Sequence, residues 1–285
     1  MRLWFWRCAV AEPSVGFVRT TDGLDLATYE TGNPAGPAIL FLHGFSQSAL
    51  CWQGQMDNAA LAAVFRLVAY DIRGHGASSQ PADPAFYAED RRFAEDTAAV
   101  IAALGLTRPV LVGWSYAGRL INDYLRAFGC GGIAGINYVS ARTNSDPAFN
   151  GPGNQHLRAM TRSDLAAEIT AALAFIDACF TLKPPPQDLS RILGYTMRVS
   201  PAVRRAHLMR PPDDAAVLGQ ITCPVLVTHG TEDQLVLPGL ADVTATAIPG
   251  AALSLYQGIG HAPFVEDRPR FNRELAEFAL RCQQS

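Results

Sequence analysis

The residues Gly113-Trp114-Ser115-Tyr116-Ala117-Gly118 directly follow an apolar run of strand length and open a helical pattern. A strand-to-helix turn of this kind pushes a serine Oγ above a sheet and places the next backbone N–H at a helix N-terminus. Gly113 and Ala117 supply the small neighbours such a turn needs, although the fuller pattern has glycine where Ala117 stands. Taken alone, the motif reads more simply as a helix N-cap serine; its context makes Ser115 a candidate nucleophile. A serine nucleophile needs a base near neutral pH, and the base needs an orienting carboxylate. Of the six histidines, His43, His75 and His229 each precede glycine at a strand end, where bonding the turn is the simpler role. His156 and His207 lie in a helical block and default to solvated or packing positions. His261 remains, in the glycine-flanked loop Gly258-Ile259-Gly260-His261-Ala262-Pro263-Phe264.

For the carboxylate, Gly230-Thr231-Glu232-Asp233-Gln234-Leu235-Val236 follows a buried run, giving Asp233 as first choice and Glu232 as alternative. Asp71, in Asp71-Ile72-Arg73-Gly74-His75-Gly76, is a rival whose expected task is structural, pairing with Arg73 and fixing the turn. Acyl transfer also needs donors for an oxyanion. The Tyr116 backbone N–H is one; Phe45, in the turn His43-Gly44-Phe45, is the expected second.

The elements that must position these groups alternate. Apolar runs at 38–42, 67–70, 109–112, 136–139, 224–228 and 253–256 are separated by helix-length stretches at 47–65, 90–104, 116–128 and 268–282. That order predicts an α/β protein with a parallel sheet and helices on both faces. The pair 16–20 and 24–29 around Thr21-Asp22-Gly23 predicts an antiparallel hairpin at the sheet edge. The alternation breaks after Ala141. Ser163 is the expected N-cap of a helix over 165–180, Pro184-Pro185-Pro186 stops it, and shorter helical patterns cover 188–199 and 202–209.

Composition narrows the class. The chain has 285 residues, 23 basic and 26 acidic, for a net charge of −3. Such a balance gives no basic excess for nucleic acid. No apolar run approaches the ~20 residues of a membrane helix. Arg7 interrupts the apolar start Leu3-Trp4-Phe5-Trp6, so a secretory signal is not expected and the N-terminus reads as a loosely tethered arm. The six cysteines are scattered without metal spacing, which predicts reduced thiols in a cytoplasmic protein. No metal or cofactor is expected, and no dinucleotide glycine motif follows the first strand.

With His43-Gly44-Phe45, the Asp71–Gly76 turn, the Ser115 elbow, Gly230-Thr231-Glu232-Asp233 and Gly260-His261-Ala262-Pro263 in that order, the chain resembles the α/β-hydrolase family over almost its full length. The resemblance implies an eight-stranded, mostly parallel, doubly wound sheet with the second strand antiparallel. It divides the chain into a core, 1–141 and 218–285, and a helical cap, 142–217, after the sixth strand. It implies Ser115 as nucleophile, His261 as base, Asp233 as acid, and Phe45 and Tyr116 as oxyanion donors. Serine at the elbow argues against the dehalogenase and epoxide hydrolase branches, which form their ester on a carboxylate.

A carboxylesterase of small to medium apolar esters is then the first reading, acting as monomer or homodimer. A carbon–carbon bond hydrolase is disfavoured, because those relatives typically carry tryptophan where Ala262 stands. A cofactor-free perhydrolase or haloperoxidase, and a ligand receptor with little turnover, are the remaining alternatives. Phe45, Trp114, Tyr116, Val236, Ile259 and Phe175 are the expected substrate-binding residues. Leu173, Phe180 and Met209 are further cap residues on offer.

Overall fold

Eight strands build one sheet, and the local sequence explains each. The computed structural model describes residues 12–213 and 215–284; the N-terminal arm expected over the first residues lies outside them. The strands are β1 (Ser14–Arg19), β2 (Asp25–Gly32), β3 (Ala38–Leu42), β4 (Arg66–Tyr70), β5 (Val110–Trp114), β6 (Gly135–Val139), β7 (Val225–Gly230) and β8 (Ala252–Tyr256), in spatial order β1-β2-β4-β3-β5-β6-β7-β8. β2 runs antiparallel to both neighbours, while β4, β3, β5, β6, β7 and β8 are mutually parallel. The edge hairpin forms as expected, with Arg19 opposite Asp25.

The inner strands are buried on both faces, which is why they read as unbroken apolar runs. On β3, Ile39 and Phe41 pack into one core with Trp52, Phe264, Phe271 and Leu275. Leu40 and Leu42 enter the other, with Phe93, Val100, Leu120 and Ile121. These two cores carry helices Arg268–Cys282 on one face and Asp90–Ala103 and Ala117–Phe128 on the other. Trp52 is the largest wedge, with ring centroids 5.0 Å from Phe41 and 4.2 Å from Phe264.

Three boundaries differ from the sequence expectation. The single helix over 47–65 is instead a turn of 3-10 helix at Ala49–Trp52 followed by short helices Gln53–Met56 and Ala59–Val64. Asn58 breaks it, because its side chain accepts the Leu61 N–H at 2.9 Å and starts a new N-terminus. Asp164, not Ser163, caps helix Leu165–Ala178 by accepting the Ala167 N–H at 2.8 Å. That helix ends before the prolines; Pro186 opens helix Pro186–Met197, where its missing N–H costs nothing. Between β6 and β7 the described residues contain helices and turns with no strand, namely Asn154–Ala159, Leu165–Ala178, Pro186–Met197 and Pro201–Leu208. Among the described residues no helix is long and apolar enough to cross a membrane.

Candidate active site

The carboxyl ends of β3, β5, β6, β7 and β8 converge on one site, as open parallel sheets place their ligand sites. Ser115 follows β5 with φ +57°, the left-handed conformation that costs a non-glycine residue roughly 1–2 kcal/mol. The strain is held by backbone bonds: Ser115 N–H donates to Val139 at 2.9 Å, and its carbonyl accepts from Gly118 at 3.0 Å and Arg142 at 2.8 Å. Gly113 must be small, since a Cβ there would lie 2.5 Å from Ile121 Cδ1. Ala117 is buried with its methyl accommodated.

Gly44 brings the β3 loop against this elbow. A Cβ on Gly44 would sit 3.2 Å from the Ser115 Cβ. The backbone N–H groups of Phe45 and Tyr116 donate no hydrogen bond among the described residues. Two donors are thus free on either side of the serine. The loop is pinned from behind: the Ser46 N–H donates to His75 Nε2 at 3.0 Å, and Ser46 Oγ accepts from Arg204 Nε at 2.8 Å. The Tyr116 hydroxyl is likewise occupied, accepting from Arg210 at 2.8 Å and donating to His207 Nδ1 at 3.1 Å. The helical segment between β6 and β7 therefore grips the residues on both sides of the candidate oxyanion position.

Asp233 and His261 meet, as the sequence predicts. His261 Nδ1–H donates to Asp233 Oδ2 at 2.7 Å, with both residues 1% exposed. Asp233 Oδ1 accepts the Leu235 and Val236 N–H groups at 2.8 and 3.0 Å. Burial works to raise the Asp233 pKa, but it is outweighed by His261 and by hydrogen bonds from His229 and His261, which hold the carboxyl well below the usual range. The histidine loop is fixed by Trp114 Nε1–H on the His261 carbonyl at 2.8 Å and by the His261 N–H on the Cys179 carbonyl at 3.0 Å. His261 Nε2 is buried without a partner. A histidine held at Nδ1 by a carboxylate carries its free lone pair on that nitrogen.

The alternative acids lie elsewhere. Glu232 is exposed, its carboxylate taking among the described residues only the Thr231 hydroxyl at 3.3 Å. Asp71 does fix its turn, by accepting from the N–H groups of Ala49 at 2.7 Å and Ala77 at 2.8 Å and from the Tyr29 hydroxyl at 3.0 Å. It does not pair with Arg73, whose guanidinium goes to Asp96 at 2.6 Å and Asp22 at 2.8 Å.

A cavity of about 160 Å³ opens beside Ser115. Of the expected substrate-binding residues, Phe45, Tyr116, Phe175 and Val236 line it. Trp114 and Ile259 do not. Trp114 turns toward Phe264, centroids 5.0 Å apart, because its indole N–H is committed to His261. Ile259 is buried in the apolar core. Leu173 and Met209 face solvent, and Leu208 supplies the wall instead of Met209. Sequence reasoning missed Arg142, Asn154, Leu157 and Leu235 on the lining. Arg142 had a signal: it stands three residues beyond β6, at the carboxyl edge of the sheet. His229 was read as a turn residue, and its Nε2 does lie 2.9 Å from the Val236 carbonyl. It also sits 3.1 Å from Asp233 Oδ2, at the i, i+4 spacing.

The other strand-end histidines are neutral by construction. His43 Nε2 accepts the Ile72 N–H at 3.0 Å, and His75 Nε2 accepts that of Ser46. Burial pushes His43 down, and pushes His75 and His207 far below the ordinary histidine value, with neighbouring cationic and histidine side chains adding to the effect on the latter two. Below about pH 6.5 the unfolded chain binds protons that these rings refuse, so stability falls as pH falls. Replacing His207 with Gln removes one such ring. The stability advantage of the parent over that variant is expected to shrink by about 1 kcal/mol between pH 7.5 and 5.5. Urea unfolding at the two pH values checks this; an unchanged difference would mean that the ring titrates normally.

The architecture has matching relatives. The family model described as "Alpha/beta hydrolase family" matches residues 39–274. A crystal structure of a candidate aryl esterase from Burkholderia cenocepacia is 35% identical, covering 95% of this chain and 100% of that one, with a TM-score of 0.91. The esterase RhEst1 from Rhodococcus sp. ECU1013 is 36% identical over 93% of this chain and 98% of its own, with a TM-score of 0.85. A bifunctional esterase/perhydrolase from Acinetobacter calcoaceticus is 28% identical, covering 93% of this chain and 99% of the relative. The chain belongs to the alpha/beta hydrolase family.

Proposed function

We propose that the protein is a serine ester hydrolase with Ser115 as nucleophile, His261 as general base and acid, and Asp233 as the residue that orients His261. The observation that carries this reading is the Asp233–His261 bond of 2.7 Å, which leaves a buried, unpartnered Nε2 at a site where a strained serine borders a cavity. Ser115 Oγ attacks the ester carbonyl carbon and its proton passes to His261 Nε2. The carbonyl π electrons move onto oxygen, where the Phe45 and Tyr116 N–H groups receive the charge. Collapse of this intermediate breaks the bond to the leaving oxygen, which takes the proton back from His261, and an acyl-serine remains. Water, deprotonated by His261, repeats the sequence to release the acid.

In this reading residues 142–217 form a cap over a core made of 1–141 and 218–285. The cap supplies Leu157, Phe175 and Leu208 to the cavity wall, suited to the apolar part of a small ester. It also buttresses the oxyanion donors through Arg204, His207 and Arg210. No step assigns work to a metal, and among the described residues no group of three or more His, Cys, Asp or Glu could hold one.

The test is turnover with titration. Many turnovers of 4-nitrophenyl acetate per chain, abolished by one equivalent of a fluorophosphonate that adds a single adduct mass, is the expected result. Binding without turnover would make the protein a receptor and overturn the reading. Perhydrolysis, in which hydrogen peroxide replaces water in the second half-reaction, is a second reading, favoured by the Acinetobacter relative that carries both activities in its name. Peroxide-dependent bromination in acetate buffer separates it from plain hydrolysis.

A further inference from the structure

Four arginines are buried among the described residues, and all four are matched by carboxylates. Arg73 pairs with Asp96 and Asp22, Arg119 with Asp90, Arg204 with Glu168, and Arg210 with Asp123 and Asp90. Arg142, by contrast, is partly buried, forms no ion pair among the described residues, and holds its Nη1 buried with no hydrogen-bond partner. Its one side-chain bond runs from Nη2 to the Asp146 backbone carbonyl at 3.0 Å. The Asp146 carboxylate is used to cap the next turn, accepting the Ala148 N–H at 2.9 Å. Burial pushes the Arg142 pKa down, and only Asp146 opposes it. A partly desolvated, unmatched charge is costly to keep, so a fold that holds one gains from a partner that arrives later.

The position of Arg142 says what that partner is. Its backbone N–H donates to the Ser115 carbonyl at 2.8 Å, and its side chain lines the cavity that Ser115 borders. It is the only charged residue on that lining among the described residues; Phe45, Leu157, Phe175, Leu235 and Val236 are apolar. Asn154 offers no spare amide N–H to share an anion with it, since its Nδ2 donates to the carbonyls of Gly151 and Leu235. A planar guanidinium fits a carboxylate in bidentate geometry. One positive charge balances one negative charge, whereas a phosphate dianion would need more donors than this wall carries.

We propose that Arg142 is a substrate-binding residue, and that the preferred substrates are esters or lactones bearing a free carboxylate at the far end of a short apolar chain. The inference rests on the serine hydrolase reading and deepens it. A neutral ester leaves Arg142 unmatched on binding; a half-ester of a dicarboxylic acid matches it while its ester carbonyl lies at Ser115.

The experiment compares monoethyl adipate, ionised at pH 7.5, with neutral diethyl adipate. The ratio of kcat/KM for half-ester over diester is expected to exceed about tenfold in the parent, a typical gain from one charge-assisted pairing. Arg142→Met should lower that ratio by tenfold or more, and Arg142→Lys should retain part of it. Because each ratio is taken within one enzyme, a general loss of rate cancels. As a second readout, glutarate should raise the Tm of the parent, glutaramide should not, and Arg142→Met should abolish the glutarate effect. A parent ratio below one, or a ratio unchanged in Arg142→Met, overturns the proposal while leaving ester hydrolysis through Ser115 intact. If no ester of either kind is turned over, the hydrolase reading falls instead, and the glutarate shift alone decides whether Arg142 receives a carboxylate. Should Arg142→Met fail to fold, the parent ratio and the glutarate–glutaramide contrast decide it.

Discussion

Replacing Ser115 with Ala is expected to lower kcat on 4-nitrophenyl acetate by about 10³-fold or more, the scale on which losing a member of such a constellation acts. In the proposed mechanism the alanine removes the atom that forms the acyl bond but leaves Phe45, Tyr116 and the cavity in place, so substrate binding should change far less than kcat. The fluorophosphonate adduct should vanish with the hydroxyl. The left-handed φ of +57° remains, so no gain in stability from relieved strain is expected. Mass spectrometry after labelling and steady-state kinetics read the two arms separately. An adduct that persists in Ser115→Ala would place the nucleophile elsewhere. Full activity in that variant would end the acyl-serine reading.

Much of this site was legible because its residues sit at punctuation in the chain. Ser115 and Asp233 each lie just beyond a run whose burial on both sheet faces leaves a continuous apolar signature, His261 follows the half-exposed edge strand β8, and glycines mark the turns around all three. The strand pattern was legible for the same reason, and the edge hairpin because Asp22-Gly23 allows the tight turn. What sequence could not show is what side chains do after the chain has folded. Trp114 looked like a pocket wall from its place beside Ser115, yet its indole N–H is drawn 147 residues along the chain to the His261 carbonyl. Leu208 reaches the cavity only because the helices between β6 and β7 fold back over the sheet. Asn58 and Asp164 show the local limit. Both are helix-starting side chains in stretches where apolar periodicity runs on past them or a neighbouring serine offers the same chemistry.

Asp233→Asn is expected to reduce kcat by about 10⁴-fold, the largest loss of any carboxylate change in the protein. The geometry explains why an isosteric amide cannot substitute. The carboxylate is surrounded by donors: Leu235 N–H and Val236 N–H on Oδ1, His261 Nδ1–H and His229 Nε2–H on Oδ2. An amide has one accepting oxygen, so one side must present NH₂ to groups that already donate. If the oxygen stays with the two backbone N–H groups, the NH₂ faces His261. The ring then accepts at Nδ1 and carries its proton on Nε2, the tautomer that cannot take the proton of Ser115. If the oxygen turns to His261, two buried backbone N–H groups lose their partner, at a cost of about 1–3 kcal/mol each. Either orientation also removes the anion that stabilises the imidazolium formed during attack. Glu232→Gln, at an exposed position one residue earlier, is expected to stay within about tenfold of the parent, since surface changes away from the site act weakly. Kinetics on both variants, with thermal unfolding to confirm that each is folded, check the pair. A severe Glu232→Gln beside a mild Asp233→Asn would mean that the orienting carboxylate belongs to the neighbouring residue.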